Sequence, residues 1–450
     1  MNINRNYIIT TWNLTSIKNI DFEKTYITNV DGVPTLHLYI LGNVSLCPYC
    51  GSSCCYSRGS KSQLIKHVLS NMSYAEIIFN KRYYKCDSCG YGFLESLGDF
   101  ASSRGVSIYL ELAILESIKN LSFTYKMIAN MYNVSDTFVC EVFDRHVSIP
   151  PLKLPYILCI DEIYARRLTS TKYSCILFDP MENKLIDILY SRRKDLLEPY
   201  FSRKSKEEKS VVKYIIIDLN DTYRSIAYKY FRGITVVADS FHVIKNLGEA
   251  FNQIRIRVMK KHEEMRNETM EYWLLKKFHW MLEKSIDDVK KDYYEFKKWK
   301  MSLSKYQLLD YMMKVDEVLT EAYYLKEAYR DFNRYHRINS DNDRIEIHQK
   351  LSEFIKAFNA SSSPELKRFG KTLSNWQVEI VNSFTYINDW RLSNAKIENI
   401  NGQIKNLMAI SYGFTNFERT RTRIIYTINK DQPFSISKKY NSKQRKRKQK

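Results

Sequence analysis

The chain has 450 residues, of which 44% are hydrophobic, so it is long enough to bury the cores of several domains. Seventy lysines and arginines against fifty aspartates and glutamates give a formal net charge of +20, which favours a nucleic-acid partner. An AT-biased genome that places lysine on every surface is the alternative source of this charge. Because no apolar run reaches the roughly 18 residues of a membrane span and no signal peptide is evident, the sequence predicts a cytoplasmic protein with reduced thiols.

Residues 1–100 are predicted to contain short strands, of which TLHLYILG is the clearest, and a zinc ribbon. Two CxxC pairs are separated by 35 residues, and the strand AEIIFNKRYYKC leads into the second pair. Thiolates three residues apart fit two corners of one tetrahedron, so the pairs predict a structural Zn²⁺ site. The predicted ligands are Cys47, Cys50, Cys86 and Cys89. Cys54 and Cys55 lie close by and could compete, and four unrelated cysteines are the remaining alternative.

Residues 101–148 are predicted to form a helical DNA-binding module with the sequence pattern of a helix-turn-helix. Asn133 and Val134 form the predicted turn, and Ser135 is positioned to cap a second helix that buries Val139 and Val142. A plain helical hairpin is the alternative, because the residues expected to face outward are not basic. These outward-facing residues are Asp136, Thr137 and Glu141.

Residues 149–247 are predicted to form the first part of a ribonuclease-H-like core. Prolines mark its start, and strands and helices then succeed one another in the order β-β-β-α-β-α-β, an α/β layer pattern. The first strand, YILCIDEIYA, is predicted to end in Asp161, and the fourth, VVKYIIIDLND, near Asp218. The last strand, ITVVADSFHV, ends in Asp239, and His242 comes three residues later at what looks like the start of a helix.

Residues 248–390 are predicted to be a long, all-helical insertion into this core. Residues 391–430 then return to the core, with Ser393 capping a helix that carries Glu398. Asn401 and Lys405 would lie near the same helical face. Residues 431–450 form a basic tail that is predicted to be disordered and to bind phosphate without sequence preference. The whole is a multidomain chain of mixed α+β and α/β class.

The strand order predicts the chemistry. In a ribonuclease-H-like core the first and fourth strands are neighbours, so Asp161 and Asp218 would meet at one edge of the sheet. Adjacent carboxylates repel each other unless divalent cations lie between them, and oxygen ligands suit Mg²⁺ or Mn²⁺. Two such ions roughly 3.5–4 Å apart stabilise the attacking and leaving oxygens at phosphorus. Glu398 is the best candidate for a third carboxylate.

Four sequence motifs occur in order along the chain: CPYCGS with RYYKCDSCG, then CIDEIYARR, VVADSFHVIKNL and SNAKIENINGQIKNLMAISYGFTNFERTRTRI. Together they resemble the zinc ribbon, the first acidic strand, the D-x-F-H-V segment and the C-terminal signature of one family. That family is the DDE transposases of the bacterial insertion-sequence L-three group. The resemblance covers nearly the whole chain, and its last motif is long and specific.

The resemblance implies a metal-binding triad of Asp161, Asp218 and Glu398, with Glu398 as the acidic residue inside S-N-x-x-x-E. Related transposases with helical insertions carry a C/D-x-x-H pair after the second catalytic aspartate, and Asp239 and His242 fit that pair. These two residues would then orient the ligands or the substrate. The rival assignment, in which Asp239 replaces Asp218 as the second catalytic carboxylate, stays open because D-S-F-H-V is the more conspicuous motif.

The resemblance also implies a function: a DNA transposase that binds the terminal inverted repeats of its element and performs two-metal-ion strand cleavage and strand transfer. Its partners would be double-stranded DNA and further copies of the same chain in a synaptic complex. It would act in the bacterial cytosol, at the nucleoid. Two other functions stay open, a non-catalytic DNA-binding protein derived from a transposase and a ribonuclease-H-like nuclease without joining activity.

Overall fold

The computed structural model divides into two compact units, one formed by Met1–Pro150 with Gln403–Lys450 and the other by Pro151–Gly402. Among the described residues, no helix combines the length and the hydropathy that a membrane span requires. The predicted basic tail from residue 432 onward lies outside the described residues, as do residues 166–167 of CIDEIYARR and residues 412–415 of the C-terminal signature. The structure describes residues 5–42, 46–102, 104–150, 152–165, 169–266, 268–284, 293–296, 300–411 and 416–431.

The first unit opens with a helix, α1 (Arg5–Thr11), where the sequence predicted only strands. Ile8 and Trp12 are both buried and four residues apart, which is the spacing of one helical face and not of a strand. The strands after it are β1 (Tyr26–Val30), β2 (Val33–Leu38), β3 (Cys55–Val68), β4 (Tyr74–Cys86) and β5 (Gly92–Leu94). They form a sheet in the order β1-β2-β4-β3, with β5 paired to β4, and the predicted strand before the second CxxC pair is confirmed as part of β4.

The helical module of this unit contains α2 (Ile108–Ile118), α3 (Tyr125–Met131) and α4 (Asp136–His146). Ser135 caps α4 as predicted, since its hydroxyl accepts a hydrogen bond from the backbone N–H of Phe138 at 3.1 Å. Asn133, in the turn before it, has a φ of +48°, a left-handed conformation that asparagine tolerates better than most residues. Val139 and Val142 are buried, so the two predicted helices and their inner face are confirmed.

The second unit is built on a five-stranded mixed sheet. Its elements are β6 (Ile157–Tyr164), β7 (Tyr173–Asp179), β8 (Lys184–Leu189), α5 (Lys194–Arg203), α6 (Lys206–Val211), β9 (Tyr214–Ile217), α7 (Asp221–Tyr230) and β10 (Thr235–Ala238). The predicted order of elements is confirmed, except that two helices instead of one precede β9. The sheet order is β10-β9-β6-β7-β8, so the first and fourth strands are parallel neighbours, as predicted.

The first core strand is longer than the sequence predicted. β6 continues three residues past Asp161, to Tyr164, because β7 pairs with it antiparallel along the whole extension. Its parallel pairing with β9 stops one residue before Asp161, at Ile160. Asp161 therefore stands at the end of the parallel pairing and not at the end of the strand.

The predicted insertion, residues 248–390, starts within α8 (Ser240–Lys261), a helix that follows β10 after Asp239. Its further helices are α9 (Glu271–Lys277), α10 (His279–Glu283), α11 (Lys305–Met313), α12 (Glu317–Tyr335), α13 (Asp341–Ala360), α14 (Pro364–Asn375) and α15 (Gln377–Asn382). One apolar core runs from the sheet into these helices, for example from Ile217 to Tyr329. The insertion is therefore packed into the second unit.

The prediction that the insertion is all-helical is wrong, because the structure contains two short β-hairpins there. The second of them turns through Asn388 and Asp389, which both have positive φ, as the central residues of tight hairpin turns require. The hairpins pair β11 (Tyr293–Phe296) with β12 (Met301–Ser304), and β13 (Tyr386–Ile387) with β14 (Trp390–Arg391).

Two helices, α16 (Ala395–Ile410) and α17 (Phe417–Ile428), complete the described chain. α17 belongs to the first unit, where the guanidinium of buried Arg423 donates hydrogen bonds to the carbonyl oxygens of Ile118 and Phe123. Ile118 is the last residue of α2, and carbonyls at a helix end have no partner inside the helix. The C-terminal helix therefore satisfies backbone groups of the N-terminal helical module.

We expect Arg423→Ala to destabilise the first unit by about 3 kcal/mol, because buried carbonyl oxygens would lose their charged donor. Arg419→Ala, on the same helix, is the matched control. Arg419 pairs with Asp144 near the surface, with 39% and 42% of the two side chains exposed, so its loss should cost less than about 1 kcal/mol. Urea unfolding, with hydrogen exchange over residues 108–131 as the local readout, measures both. Equal effects of the two substitutions would contradict the expectation.

Candidate active site and metal centre

Three aspartates lie side by side at the carboxyl edge of the core sheet. In the register of the parallel strands, Ile160 of β6 is level with Ile217 of β9, which in turn is level with Ala238 of β10. Each of these three residues is followed by an aspartate, so Asp161, Asp218 and Asp239 occupy equivalent positions on adjacent strands. In parallel sheets this edge, beyond the carboxyl ends of the strands, is where ligands bind.

The surroundings of Asp239 differ from those of the other two aspartates. It caps α8 and is 1% exposed, and both of its oxygens accept hydrogen bonds. Oδ2 accepts from His242 Nδ1 at 2.8 Å, and Oδ1 accepts from the backbone N–H of Asn394 at 3.0 Å. Both oxygens of Asp239 therefore already accept hydrogen bonds from the protein. One donor lies in the first turn of α8, and the other is the residue directly before α16.

Asp218 is more accessible, with 24% of its side chain exposed, and it lines a cleft of about 330 Å³. Its Oδ1 lies 3.1 Å from His242 Nδ1 and accepts a hydrogen bond from Asn394 Nδ2 at 3.0 Å. The ligand atoms of Asp218, Asp239 and His242 all lie within 4.8 Å of one another, so this group could hold a metal ion. His242, also on the wall of the cleft, links the accessible aspartate to the buried one.

The protonation of the aspartates reflects their crowding. Burial, and then the charge of Asp161, raises the pKa of Asp218 to about 7. The pKa of Asp161 is also raised, chiefly by burial, whereas the hydrogen bond to Asp239 raises the pKa of His242. Both carboxylates therefore resist ionisation together, and a divalent cation would relieve the repulsion. Carboxylate oxygens fit Mg²⁺ or Mn²⁺, so Asp161 and Asp218 suit the predicted ions.

Glu398, the predicted third carboxylate, lies in the first turn of α16 and is exposed. It is not in the group of ligand atoms around His242 that the described residues form. The predicted cap is also shifted by one residue. Glu398 N donates to the carbonyl oxygen of Asn394 at 3.0 Å, so Asn394, and not Ser393, precedes the helix.

Two asparagines that the sequence did not single out as site residues contact the acidic edge directly. Asn401 Nδ2 donates to Asp161 Oδ2 at 2.6 Å, and Asn394 bonds to both Asp218 and Asp239. Both asparagines are buried. Their spacing is the signal that could have identified them, because they lie four residues before and three residues after Glu398, on the same helical face.

The four predicted zinc ligands converge in the first unit. Their sulfur atoms all lie within 4.8 Å of one another, so the cluster could hold a metal such as zinc. Each CxxC pair is followed by a glycine in the left-handed region, Gly51 at φ +72° and Gly90 at φ +70°. The two glycines donate backbone hydrogen bonds of 2.9 Å to the first cysteine of their own pair, which gives two equivalent turns. The cluster consists of Cys47, Cys50, Cys86 and Cys89, and neither Cys54 nor Cys55 belongs to it.

The comparison with known families agrees with this geometry. A family model described as Transposase matches residues 158–424, more than half of the chain, including all three aspartates and the helices that contact them. The chain is therefore a transposase, a class of protein whose substrate is DNA. It belongs to the ISL3 family of DDE transposases, as the motifs predicted. No curated protein matches the chain.

We expect Cys89→Ser to lower the zinc content of the purified protein to a small fraction of the wild-type value, because three thiolates bind Zn²⁺ far less tightly than four. Cys54→Ser is the matched control, since Cys54 is exposed and outside the cluster. Metal analysis of both proteins, with a colorimetric titration of released zinc, makes the comparison. Zinc loss in Cys54→Ser, or full retention in Cys89→Ser, would contradict this ligand set.

We expect Asn401→Ala to weaken Mn²⁺ binding about tenfold or more, because Asp161 would lose the donor that fixes its carboxylate. Asn399→Ala removes an exposed asparagine from the same helix and should leave Mn²⁺ binding unchanged. Electron paramagnetic resonance of free Mn²⁺, titrated into zinc-loaded protein, reports binding without requiring activity. If Asn401→Ala binds Mn²⁺ as tightly as the wild type, Asn401 does not position the metal ligand.

Proposed function

We propose that this transposase binds the terminal inverted repeats of its element and moves the element by two-metal-ion strand cleavage and strand transfer. The observation that carries the proposal is the alignment of Asp161 and Asp218 on neighbouring parallel strands. The sheet order is the one expected for a ribonuclease-H-like core, in which such a pair binds metal ions. The proposed metal ligands are Asp161, Asp218 and Glu398.

Asp218, and not Asp239, is the second catalytic carboxylate in this proposal. Accessibility supports the choice, because Asp218 lines the cleft whereas Asp239 is 1% exposed. Hydrogen bonding supports it too, since both oxygens of Asp239 already accept from protein donors. Asp239 and His242 then act as positioning residues: Asp239 orients the imidazole, and the imidazole holds Asp218.

Helix geometry supports Glu398 as the third ligand. Asn394 and Asn401 both reach the acidic edge, and Glu398 lies between them in the sequence at helical spacings of four and three residues. Residues at these spacings share one face of a helix, so the face that contacts the aspartates is also the face of Glu398. Its exposure suits a ligand that approaches metal ions from the open side of the site.

Mg²⁺ or Mn²⁺ would stabilise the negative charge that develops on the attacking and leaving oxygens during each phosphodiester step. The chain's own residues hold the ligands in place: Asn401 fixes Asp161, while Asn394 and His242 fix Asp218. Cleavage uses water at the element end, and joining uses the freed 3′-hydroxyl at a target phosphodiester. No covalent bond between protein and DNA is needed, so the site requires no nucleophilic side chain.

The first unit supplies recognition in this proposal. The four-cysteine cluster and the helical module read the terminal repeat, and lysines and arginines neutralise phosphates, so binding should weaken steeply with salt. Two element ends must be brought together, which calls for a homo-oligomeric synaptic complex. The protein would act in the cytosol, where its DNA substrate lies.

We expect Asp161→Ala, Asp218→Ala and Glu398→Ala to abolish cleavage and joining of a duplex that carries the element end, a loss of at least about a thousandfold. Asp239→Ala should keep partial activity, about 10- to 100-fold below the wild type, because it removes a positioning group. Asp221→Ala is the matched control, since Asp221 is exposed and pairs with Arg224 at the surface. Gel analysis of cut and joined products in Mg²⁺ and in Mn²⁺ measures all five variants.

Binding of end DNA must be equal among these variants for the comparison to report on chemistry. If Asp239→Ala is inactive and Asp218→Ala is partly active, the second ligand is Asp239. Cut ends without joined product would identify a nuclease instead of a transposase. Binding without any cleavage by the wild type would identify a DNA-binding protein derived from a transposase.

A further inference from the structure

One face of the β3–β4 ribbon, next to the cysteine cluster, carries only basic and neutral side chains. Cross-strand partners share a face, and the register pairs Lys61 with Lys81 and Tyr56 with Lys85. Tyr83 lies on the same face because side chains alternate along β4. We call Tyr56, Lys61, Lys81, Tyr83 and Lys85 the lysine–tyrosine face.

This face leaves its charges uncompensated. β3 and β5 contain no acidic residue, and the one in β4, Glu76, points to the opposite side of the sheet because its position is even. No ion pair involves Lys61, Lys81 or Lys85 among the described residues. On that opposite side, by contrast, Arg82 is neutralised by Glu95 at 2.9 Å. The ribbon thus neutralises Arg82 on one side, whereas the other side carries three lysines for which the described residues provide no ion pair.

The two facing lysines weaken the ribbon in isolation. Like charges directly opposite each other on antiparallel strands are destabilising, and strand pairing on the β-bulge-free side holds Lys61 opposite Lys81. Partial burial, and then the charge of Lys61, lowers the pKa of Lys81, whose ammonium group donates to the neutral Gln63 Oε1 at 2.6 Å. A polyanion on this face would turn an unfavourable pair into two favourable contacts.

The tyrosines add hydrogen-bond donors to the same face. Tyr56 is 40% exposed and Tyr83 is 39% exposed, so both phenol groups can reach a ligand. Tyr83 crosses the neighbouring strand β5 at Gly92, where a side chain would meet its hydroxyl oxygen at 2.0 Å. Gly92 therefore lets the tyrosine ring lie across the sheet. Tyrosine and lysine side chains are both common donors to phosphate oxygens.

We propose that the lysine–tyrosine face binds the phosphate backbone of double-stranded DNA. This inference rests on the proposed function, and it assigns to one surface of the first unit the contact that positions the transposase on its substrate. Charge complementarity selects the partner, because three cations, two phenols and no carboxylate suit a row of phosphates. Backbone contacts fix orientation and carry no sequence information, so the face should bind any duplex.

The test measures binding of two duplexes, the element end and an unrelated sequence, by fluorescence anisotropy across a range of salt concentrations. We expect Lys61→Ala/Lys81→Ala in the full chain to weaken binding of both duplexes about tenfold or more. The slope of log affinity against log salt should fall by about 2, roughly 1 for each lost phosphate contact. Lys61→Arg/Lys81→Arg should bind like the wild type, because arginine keeps the charges.

The control, Lys18→Ala/Lys24→Ala, removes two exposed lysines from the same unit and should leave affinity and slope unchanged. Zinc content and thermal stability are measured for every variant. Removing the facing lysines should keep or raise stability, whereas a purely structural role would lower it.

An unchanged affinity and slope in Lys61→Ala/Lys81→Ala would overturn the assignment of this face while leaving the proposed function intact. Equal losses in the control would also overturn it, because the effect would then depend on net charge alone. If the wild type binds neither duplex, the proposed function fails and this face fails with it. Weaker binding of the element-end duplex alone would show a sequence-specific contact and would contradict a contact to the phosphate backbone.

Discussion

The parallel register of three strands forces like charges together at one edge of the core sheet. Ile160, Ile217 and Ala238 are level, so the aspartates directly after them cannot move apart without breaking backbone hydrogen bonds. The protein meets this constraint with neutral and cationic donors from two helices, α8 and α16. An imidazole from α8 lies between two of the carboxylates, and amides from α16 and the residue before it reach all three.

The same residue type at equivalent positions can have different roles because the chain continues differently after each. Asp239 is followed at once by α8, so its carboxylate caps the helix and is buried. Asp218 is followed by the short segment that leads to Asn220, which caps α7 in its place, and its carboxylate is left on the wall of the cleft. Asp161 lies inside β6, which continues because β7 still pairs with it. The segment after each aspartate, and not the strand end itself, decides which carboxylate is available to a ligand.

Much of the fold could be predicted because its signals are local or periodic. The CxxC pairs, the cap at Ser135 and the strand order each derive from spacing along the chain. α1 and the two hairpins of the insertion were missed, since their conformation depends on burial of Trp12 and on the left-handed turn at Asn388. The three aspartates were identified from the sequence, but the two asparagines were not assigned to the site. Their spacing around Glu398 was the available signal, but an asparagine amide becomes a carboxylate donor only when tertiary packing brings it there.

The aspartates of the acidic edge and the lysines of the lysine–tyrosine face are two clusters of like charge, of opposite sign, in the part of the chain that the structure describes. At the acidic edge the aspartates keep a raised pKa in spite of the donors around them, and oxygen ligands of this kind are neutralised by divalent cations. On the lysine–tyrosine face, strand pairing places Lys61 directly opposite Lys81. In both places strand pairing holds like charges close together. The hydrophobic core of the same unit offsets the free energy that this repulsion costs. In each of these two sheets the repulsion is best explained by the ligand proposed for it: divalent cations at the carboxyl edge of the core sheet, and DNA phosphates on the lysine–tyrosine face.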